Sequence, residues 1–238
     1  MRHLILFDID GTLLQCGRQV APLFLSALRE TFSEHLPDGR VPLEGVSFAG
    51  KTDPMIVSEL ARIGGIDEEV IPDLLPRMRS LYLERLERGL RGEEMRLLPG
   101  VVELLERLAG RSDLLIGLLT GNWRGGAEIK LARGGLGSIG ARGYFRLGAF
   151  GDDAVDRRGL VPVALERAGH HRGEEFVVDD VLIIGDTPLD VDCARAAGVS
   201  CLAVATGFTP AEELAAAGAD HVYPSLLDAA QDHPLLRG

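Results

Sequence analysis

Leu4-Ile5-Leu6-Phe7-Asp8-Ile9-Asp10-Gly11-Thr12-Leu13-Leu14 is the stretch whose reading decides the fold. Its four leading apolar residues read as a short strand buried on both faces, as in a parallel sheet. Asp8 and Asp10 follow at the carboxyl end of that strand, where open α/β sheets bind their ligands. Gly11 and Thr12 then turn the chain. Two carboxylates this close repel each other unless a cation lies between them or one is protonated. The pattern points to a metal site or to a nucleophile with its own acid/base partner. An Asx-type turn capped by Asp10 is the plain alternative.

A chain of 238 residues is large for one domain and ordinary for a domain with an insertion. It can bury roughly 70% of its unfolded surface, so it needs no staples. Its three cysteines, Cys16, Cys193 and Cys201, are widely spaced and form no CxxC pair. That argues for a reducing compartment and against a thiolate metal site. The apolar run ending at Asp8 is too short for a signal peptide, and no later stretch could span a membrane. A cytoplasmic, soluble protein is expected. The net charge of −11 makes nucleic acid a poor partner, and no basic stripe with interleaved aromatics offsets it. An anionic substrate would need local cations, and a bound metal is the simplest source.

Pro22 to Phe32 reads as a helix, broken by Pro37, Asp38, Gly39 and Pro42. Thr52 or Asp53 caps a second helix that has Pro54 in its first turn and ends at Gly64-Gly65. Asp67 to Arg88 reads as a third helix, with Pro76 expected to kink or divide it. No convincing strand occurs between Val20 and Arg91, so this block reads as an all-helical insertion. Beyond Leu98 the pattern alternates. Helices are expected at 101–108, 124–133, 160–168, 188–197, 211–217 and 226–230. Strands are expected at 114–120, 181–184, 199–205 and 222–223, with a strand or edge segment within 144–150. His170-His171 reads as a surface loop. The alternation implies a Rossmann-like parallel α/β sheet with helices on both faces and right-handed crossovers.

Three buried strands end in polar residues at the same relative place: Asp8, Thr120 and Gly185-Asp186. In a parallel sheet these ends share one edge and converge. Two aspartates and a threonine hydroxyl suggest a hard oxygen-ligand site suited to Mg²⁺.

Asp8-Ile9-Asp10-Gly11-Thr12 resembles the first motif of the haloacid dehalogenase superfamily, Leu119-Thr120-Gly121-Asn122 its second, and Gly185-Asp186-Thr187-Pro188-Leu189-Asp190 its fourth. The first and fourth together are highly specific, and the second is weak alone. The resemblance spans nearly the whole chain. It implies a core domain of residues 1–16 and 95–238 and a helical C1 cap of residues 17–94, inserted after the first strand.

The family's chemistry, carried over, makes Asp8 the nucleophile that forms an aspartyl-phosphate and Asp10 the general acid and then base. Mg²⁺ would be held by Asp8, the backbone carbonyl of Asp10 and Asp186, with Asp190 supporting through water or hydrogen bonds. Thr120 and nearby backbone groups would hold phosphoryl oxygens. Substrate-binding residues are then Thr12, Gly121, Asn122 and, from the cap, Lys51 beside a helix start.

One motif departs from the family. The usual Lys before the fourth motif is missing from Gly151 to Leu160, and Arg157, or else Arg158, is expected in its place. Trp123 could border the pocket or sit in a core. The resemblance implies a Mg²⁺-dependent phosphatase of a small phosphorylated metabolite. A phosphomutase of the β-phosphoglucomutase type is the alternative, and a receiver-like phospho-accepting module is a more distant one. A dehalogenase or phosphonatase fits poorly because Asp10 is present. The motifs leave the ester and the oligomeric state open.

Overall fold

The structure, a computed structural model, describes residues 3–36, 46–140 and 143–237. The expected breakers Pro37, Asp38, Gly39 and Pro42 lie outside these residues.

The central sheet contains β1 (His3–Phe7), β4 (Leu114–Leu119), β5 (Leu147–Ala149), β6 (Val181–Gly185), β7 (Ser200–Val204) and β8 (His221–Tyr223). Their order is β5-β4-β1-β6-β7-β8, and every pairing is parallel. From β1 the chain builds outward to β4 and β5, then crosses back to place β6 on the other side of β1. The crevice at that reversal, outside the strand ends, is where such sheets bind ligands.

The period-two alternation of β1 divides its side chains between two cores. Ile5 and Phe7 pack on one face with α4 (Val101–Ala109), α5 (Arg124–Arg133) and α9 (Leu226–Asp232). Leu4 and Leu6 pack on the other with α6 (Leu160–Arg172), α7 (Pro188–Ala197) and α8 (Ala211–Ala217). Both faces are therefore covered, which is why these strands read as unbroken apolar runs.

A helical block is inserted between β1 and β4. It holds α1 (Val20–Thr31), α2 (Asp53–Ile63) and α3 (Ile71–Gly89), with no strand from Val20 to Arg91 among the described residues. Phe24, Leu28, Val57, Leu60, Met78, Tyr82 and Leu86 give it a core of its own. Trp123, from the loop after β4, is buried in that cluster and stacks on Phe24 at 6.1 Å. It is a core aromatic, absent from the cavity wall.

The block leaves and rejoins the rest of the chain through two short strands, β2 (Leu14–Gln15) and β3 (Arg96–Leu97). They pair antiparallel, Leu14 with Leu97 and Gln15 with Arg96. From sequence alone Gln15 to Arg18 reads as a polar link, and Arg96-Leu97 shows no strand pattern.

Two other points differ from expectation. Pro76 does not divide α3, which is one helix on either side of it. The missing N–H costs about 3 kcal/mol in a helix interior, and burial of Met78, Tyr82 and Leu86 on the same helix offsets it. α6 continues through Gly169, so His170 and His171 occupy its last turn, and it ends where Gly173 adopts φ 76°. A single glycine is tolerated inside a helix, whereas a left-handed one at the end terminates it. Among the described residues no helix is long and apolar enough to cross a membrane.

Candidate active site

The carboxyl ends of β1, β4 and β6 open on a cavity of about 860 Å³, walled on its far side by α1, the 47–51 segment and Tyr82 of the helical block. Asp8, Asp10, Thr120, Gly121, Asn122, Lys51, Arg157 and Asp186 all line it.

At the end of β6, Thr187 and Asp190 form a reciprocal capping box at the start of α7. Thr187 N–H and Oγ donate to Asp190 Oδ2 at 3.0 and 2.7 Å. That leaves Asp190 Oδ1 for Arg157, whose Nη2 donates at 2.5 Å. The same Nη2 lies 3.2 Å from Asp8 Oδ1. Arg157 is buried and also donates from Nη1 to Gly50 O at 2.9 Å and from Nη2 to Leu119 O at 3.2 Å, while its Nε finds no partner. Arg158, one residue on, pairs with Asp192 outside the site at 2.7 Å. Of the two arginines the sequence offered, only Arg157 reaches the strand ends.

Asp8, Asp186 and Asp190 are buried, and each offers an oxygen within 4.8 Å of the other two. Burial pushes the Asp8 carboxyl upward, Arg157 opposes this in part, and Asp190 and Asp10 add to the rise. Burial also raises Asp186, helped by Asp190 and Asp8. Three clustered acids facing one guanidinium must take up protons or a cation. An all-oxygen, net-negative donor set of this kind suits a hard divalent ion. Asp190, expected to act at one remove, belongs to the cluster itself. The Asp10 carboxylate does not, being turned toward Lys130 and Asn122.

Asp10 faces a different environment, one residue pair further along β1's exit. Its Oδ2 accepts from Lys130 Nζ at 2.6 Å and from Asn122 Nδ2 at 2.7 Å, and its Oδ1 accepts from Cys16 Sγ at 2.9 Å. Burial alone would raise its pKa. Lys130, Cys16 and Asn122 together outweigh that and hold it below the ordinary carboxylate range. Asn122 is fixed in turn, with Oδ1 accepting from Lys130 at 2.6 Å and Nδ2 donating to Thr120 Oγ1 at 2.8 Å.

Thr12 is placed differently from its expected role. It is fully buried, and its hydroxyl donates to Asp186 Oδ1 at 3.2 Å instead of lining the cavity. Lys51 does line the cavity, but its Nζ is engaged by Glu59.

Sequence reading missed Lys130 and Cys16 and gave Asp53 only a capping part. Lys130 shares the buried stripe of α5 with Ala127 and Leu131, and a lysine in an apolar i, i+3, i+4 pattern was the available signal. Thr52 caps α2, accepting from Met55 N–H at 3.2 Å. Asp53 is buried just inside and accepts the Trp123 N–H at 2.7 Å. The segment 50–53 is thereby seated on the strand ends, with Asp53 N–H donating to Gly121 O at 2.7 Å. Gly121 needs its missing side chain there, since a Cβ would come 2.1 Å from Lys51 O.

A parallel sheet with clustered acids at its strand ends and an inserted helical block defines an architecture that comparison with known proteins identifies. The haloacid dehalogenase-like hydrolase family model matches residues 5–204, and the chain belongs to that family. It is an enzyme, a hydrolase. A phosphoglycolate phosphatase of Synechococcus elongatus is 29% identical over 220 residues, covering 91% of this chain and 90% of its own. A phosphoglycolate phosphatase of Nitrosospira multiformis is 28% identical over 228 residues, covering 94% and 92%. Among solved structures, a hydrolase from Pseudomonas syringae superposes with a TM-score of 0.65 at 25% identity, covering 96% of each chain.

Proposed function

We propose that the protein is a Mg²⁺-dependent phosphomonoester hydrolase that acts on a small phosphorylated metabolite through an aspartyl-phosphate. The observation that carries this reading is the unlike setting of the two acids leaving β1. Asp8 lies among Arg157, Asp186 and Asp190, whereas Asp10 is turned toward Lys130, Asn122 and Cys16. Two carboxylates in different environments can take different roles.

In this reading an Asp8 oxygen attacks phosphorus in line, and the bond to the leaving oxygen breaks. Asp10 gives its proton to that oxygen. The arriving phosphoryl dianion raises the proton affinity of Asp10, which offsets the pull of Lys130. Asp10 then takes a proton from the water that cleaves the acyl-phosphate. Thr120 and Arg157 hold phosphoryl oxygens as charge spreads over them. Asp8, Asp186, Asp190 and the Asp10 carbonyl would hold Mg²⁺, which supplies charge neutralisation at the acids and phosphoryl oxygens. Residues 1–16 and 95–238 form the core that carries this chemistry, and 17–94 form the cap that covers it. The curated relatives make 2-phosphoglycolate the first ester to assay.

The test is phosphate release from a panel of monoesters with Mg²⁺ present. Wild type should release phosphate, and Asp8→Asn should not, with an unchanged circular dichroism spectrum. Activity of Asp8→Asn within tenfold of wild type would sink the assignment. Transfer of phosphate to a second sugar hydroxyl instead of water would favour the mutase alternative.

A further inference from the structure

Asp53 enters from the helical block and grips the loop after β4 on both sides of Asn122. Its backbone N–H donates to Gly121 O at 2.7 Å, and its Oδ2 accepts the Trp123 N–H at 2.7 Å. Asn122 is the residue between these two contacts. Gly151 closes a third side, its N–H donating to Asn122 O at 2.8 Å. Asp53 is itself held in place. It is buried, and Thr52 beside it donates to Val155 O at 2.5 Å while capping α2.

The loop that Asp53 grips carries the partners of Asp10. Asn122 Nδ2 donates to Asp10 Oδ2 at 2.7 Å, and Asn122 Oδ1 accepts from Lys130 Nζ at 2.6 Å. Trp123 is also the N-cap of α5, and its side chain makes no capping hydrogen bond. The Asp53 carboxyl takes that place, at the helix end that favours negative charge. Lys130 lies about two turns further along the same helix. Fixing the start of α5 therefore fixes the origin of the Lys130 side chain together with the Asn122 amide.

We infer that Asp53 is a positioning residue for the proton transfers: by bracketing Asn122 from the helical block, it sets the orientation of Asp10. This rests on the hydrolase reading above and adds a residue that works through Asn122 instead of on the substrate. The helical block is then more than a cover, because it holds one end of the acid–base machinery. The contact requires reach, not charge. Burial pushes the Asp53 carboxyl up to about 7, so both of its forms are populated near neutrality. Each form leaves an oxygen to accept the Trp123 N–H.

The experiment measures kcat and KM with Mg²⁺, on 2-phosphoglycolate or the fastest monoester of the panel above, for wild type, Asp53→Asn, Asp53→Glu and Asp53→Ala. Asp53→Asn keeps the reach and an acceptor oxygen, so kcat should stay within about threefold of wild type. Asp53→Glu keeps the charge but adds a methylene at a buried site, and Asp53→Ala removes the acceptor. Both should lower kcat by about 10- to 100-fold, the scale of a misplacement near 1 Å, with KM within about threefold. Circular dichroism checks folding, and Asp53→Glu carries the comparison if Asp53→Ala does not fold. Asn122→Ala and its double variant with Asp53→Glu complete a cycle. Because Asp53 acts through Asn122, the two losses in kcat should not multiply. Four outcomes would overturn the inference and leave the hydrolase reading intact: an undiminished kcat in Asp53→Glu, an Asp53→Asn as slow as Asp53→Glu, a loss confined to KM, or losses that multiply in the cycle. Failure of wild type to release phosphate from any monoester would remove both.

Discussion

Lys130 Nζ lies 2.6 Å from Asp10 Oδ2, and Lys130 is buried on α5 while Asp10 faces the cavity. Asp10 holds the ammonium charged despite burial, and the ammonium holds Asp10 below its ordinary pKa. Lys130→Met keeps the stem of the side chain and removes that charge. If Asp10 is the general acid and base, kcat should fall by about 10²-fold, the lower part of the range for such catalysis, with KM little changed. The alkaline limb of the kcat/KM profile should move to higher pH, because Asp10 must be protonated to act as the acid and loses the cation that lowers its pKa. A Lys130→Met enzyme with wild-type kcat and an unmoved alkaline limb would separate Lys130 from the reaction.

Arg157 should be sensitive to shape as well as charge. It bridges Asp8 and Asp190 and reaches two backbone carbonyls, a set of contacts that one ammonium cannot reproduce. Arg157→Ala should lower kcat and raise KM together, since bound and reacting phosphoryl oxygens both lose a contact. Arg157→Lys should recover part of that loss. Arg158→Ala, which removes an exposed pair with Asp192, should leave kcat/KM within about twofold. A silent Arg157→Ala moves the cation's role elsewhere, with Lys51 the next residue to test.

Metal binding can be read without activity. If Asp8, Asp186 and Asp190 take Mg²⁺, the ion stabilises the folded state by about 2.7 kcal/mol at one hundred times its Kd. For a chain of this size each kcal/mol raises Tm by about 2–4 °C. Calorimetry should show that rise with Mg²⁺, its reversal by EDTA, and its absence in Asp186→Asn. Equal Mg²⁺ shifts in wild type and Asp186→Asn would place the ion outside this cluster.

Asp53 gives a pH dependence unconnected with any metal. Burial pushes its carboxyl up to about 7, against the partial pull of Lys130 and the Trp123 N–H. Between the ordinary value of 3.8 and about 7, the folded state keeps a proton that the unfolded chain releases. Stability from this group therefore falls as pH rises through that window and levels off above it. Asp53→Asn keeps an acceptor for Trp123 and removes the titration. Its Tm should exceed that of wild type at pH 8, and the difference should shrink toward pH 4. A gap that stays constant with pH would contradict the raised pKa.

Much of this arrangement was legible from residue types alone, and the reasons are physical. Strands buried on both faces leave continuous apolar runs, so β1, β4 and β6 stood out with Asp8, Thr120 and Asp186 at their ends. α7 was legible to the residue, because Thr187, Pro188 and Gly198 mark its two ends with side-chain and backbone chemistry. The two-residue strands β2 and β3 are too short to show alternation, and their pairing across the intervening helical block is purely tertiary. Pro76 and Gly169 read as breakers because local preference was weighed without the packing that overrides it. The partners of Asp10 also come from distant segments, so the spacing of residues could show that Asp10 was special but not which cation attends it.

The β2–β3 pairing has a further consequence for how such a chain can be altered. Because Gln15 and Arg96 are neighbours, the segment 16–95 begins and ends at nearly one point. Removing it leaves two strand ends already in hairpin register, which a two-residue Asn-Gly turn can join. The insertion is thus exchangeable in principle for a shorter or different one without re-threading the sheet. Trp123 marks the cost: its indole is buried against Phe24 and Tyr82, so a lidless version needs a polar residue at that position to remain soluble.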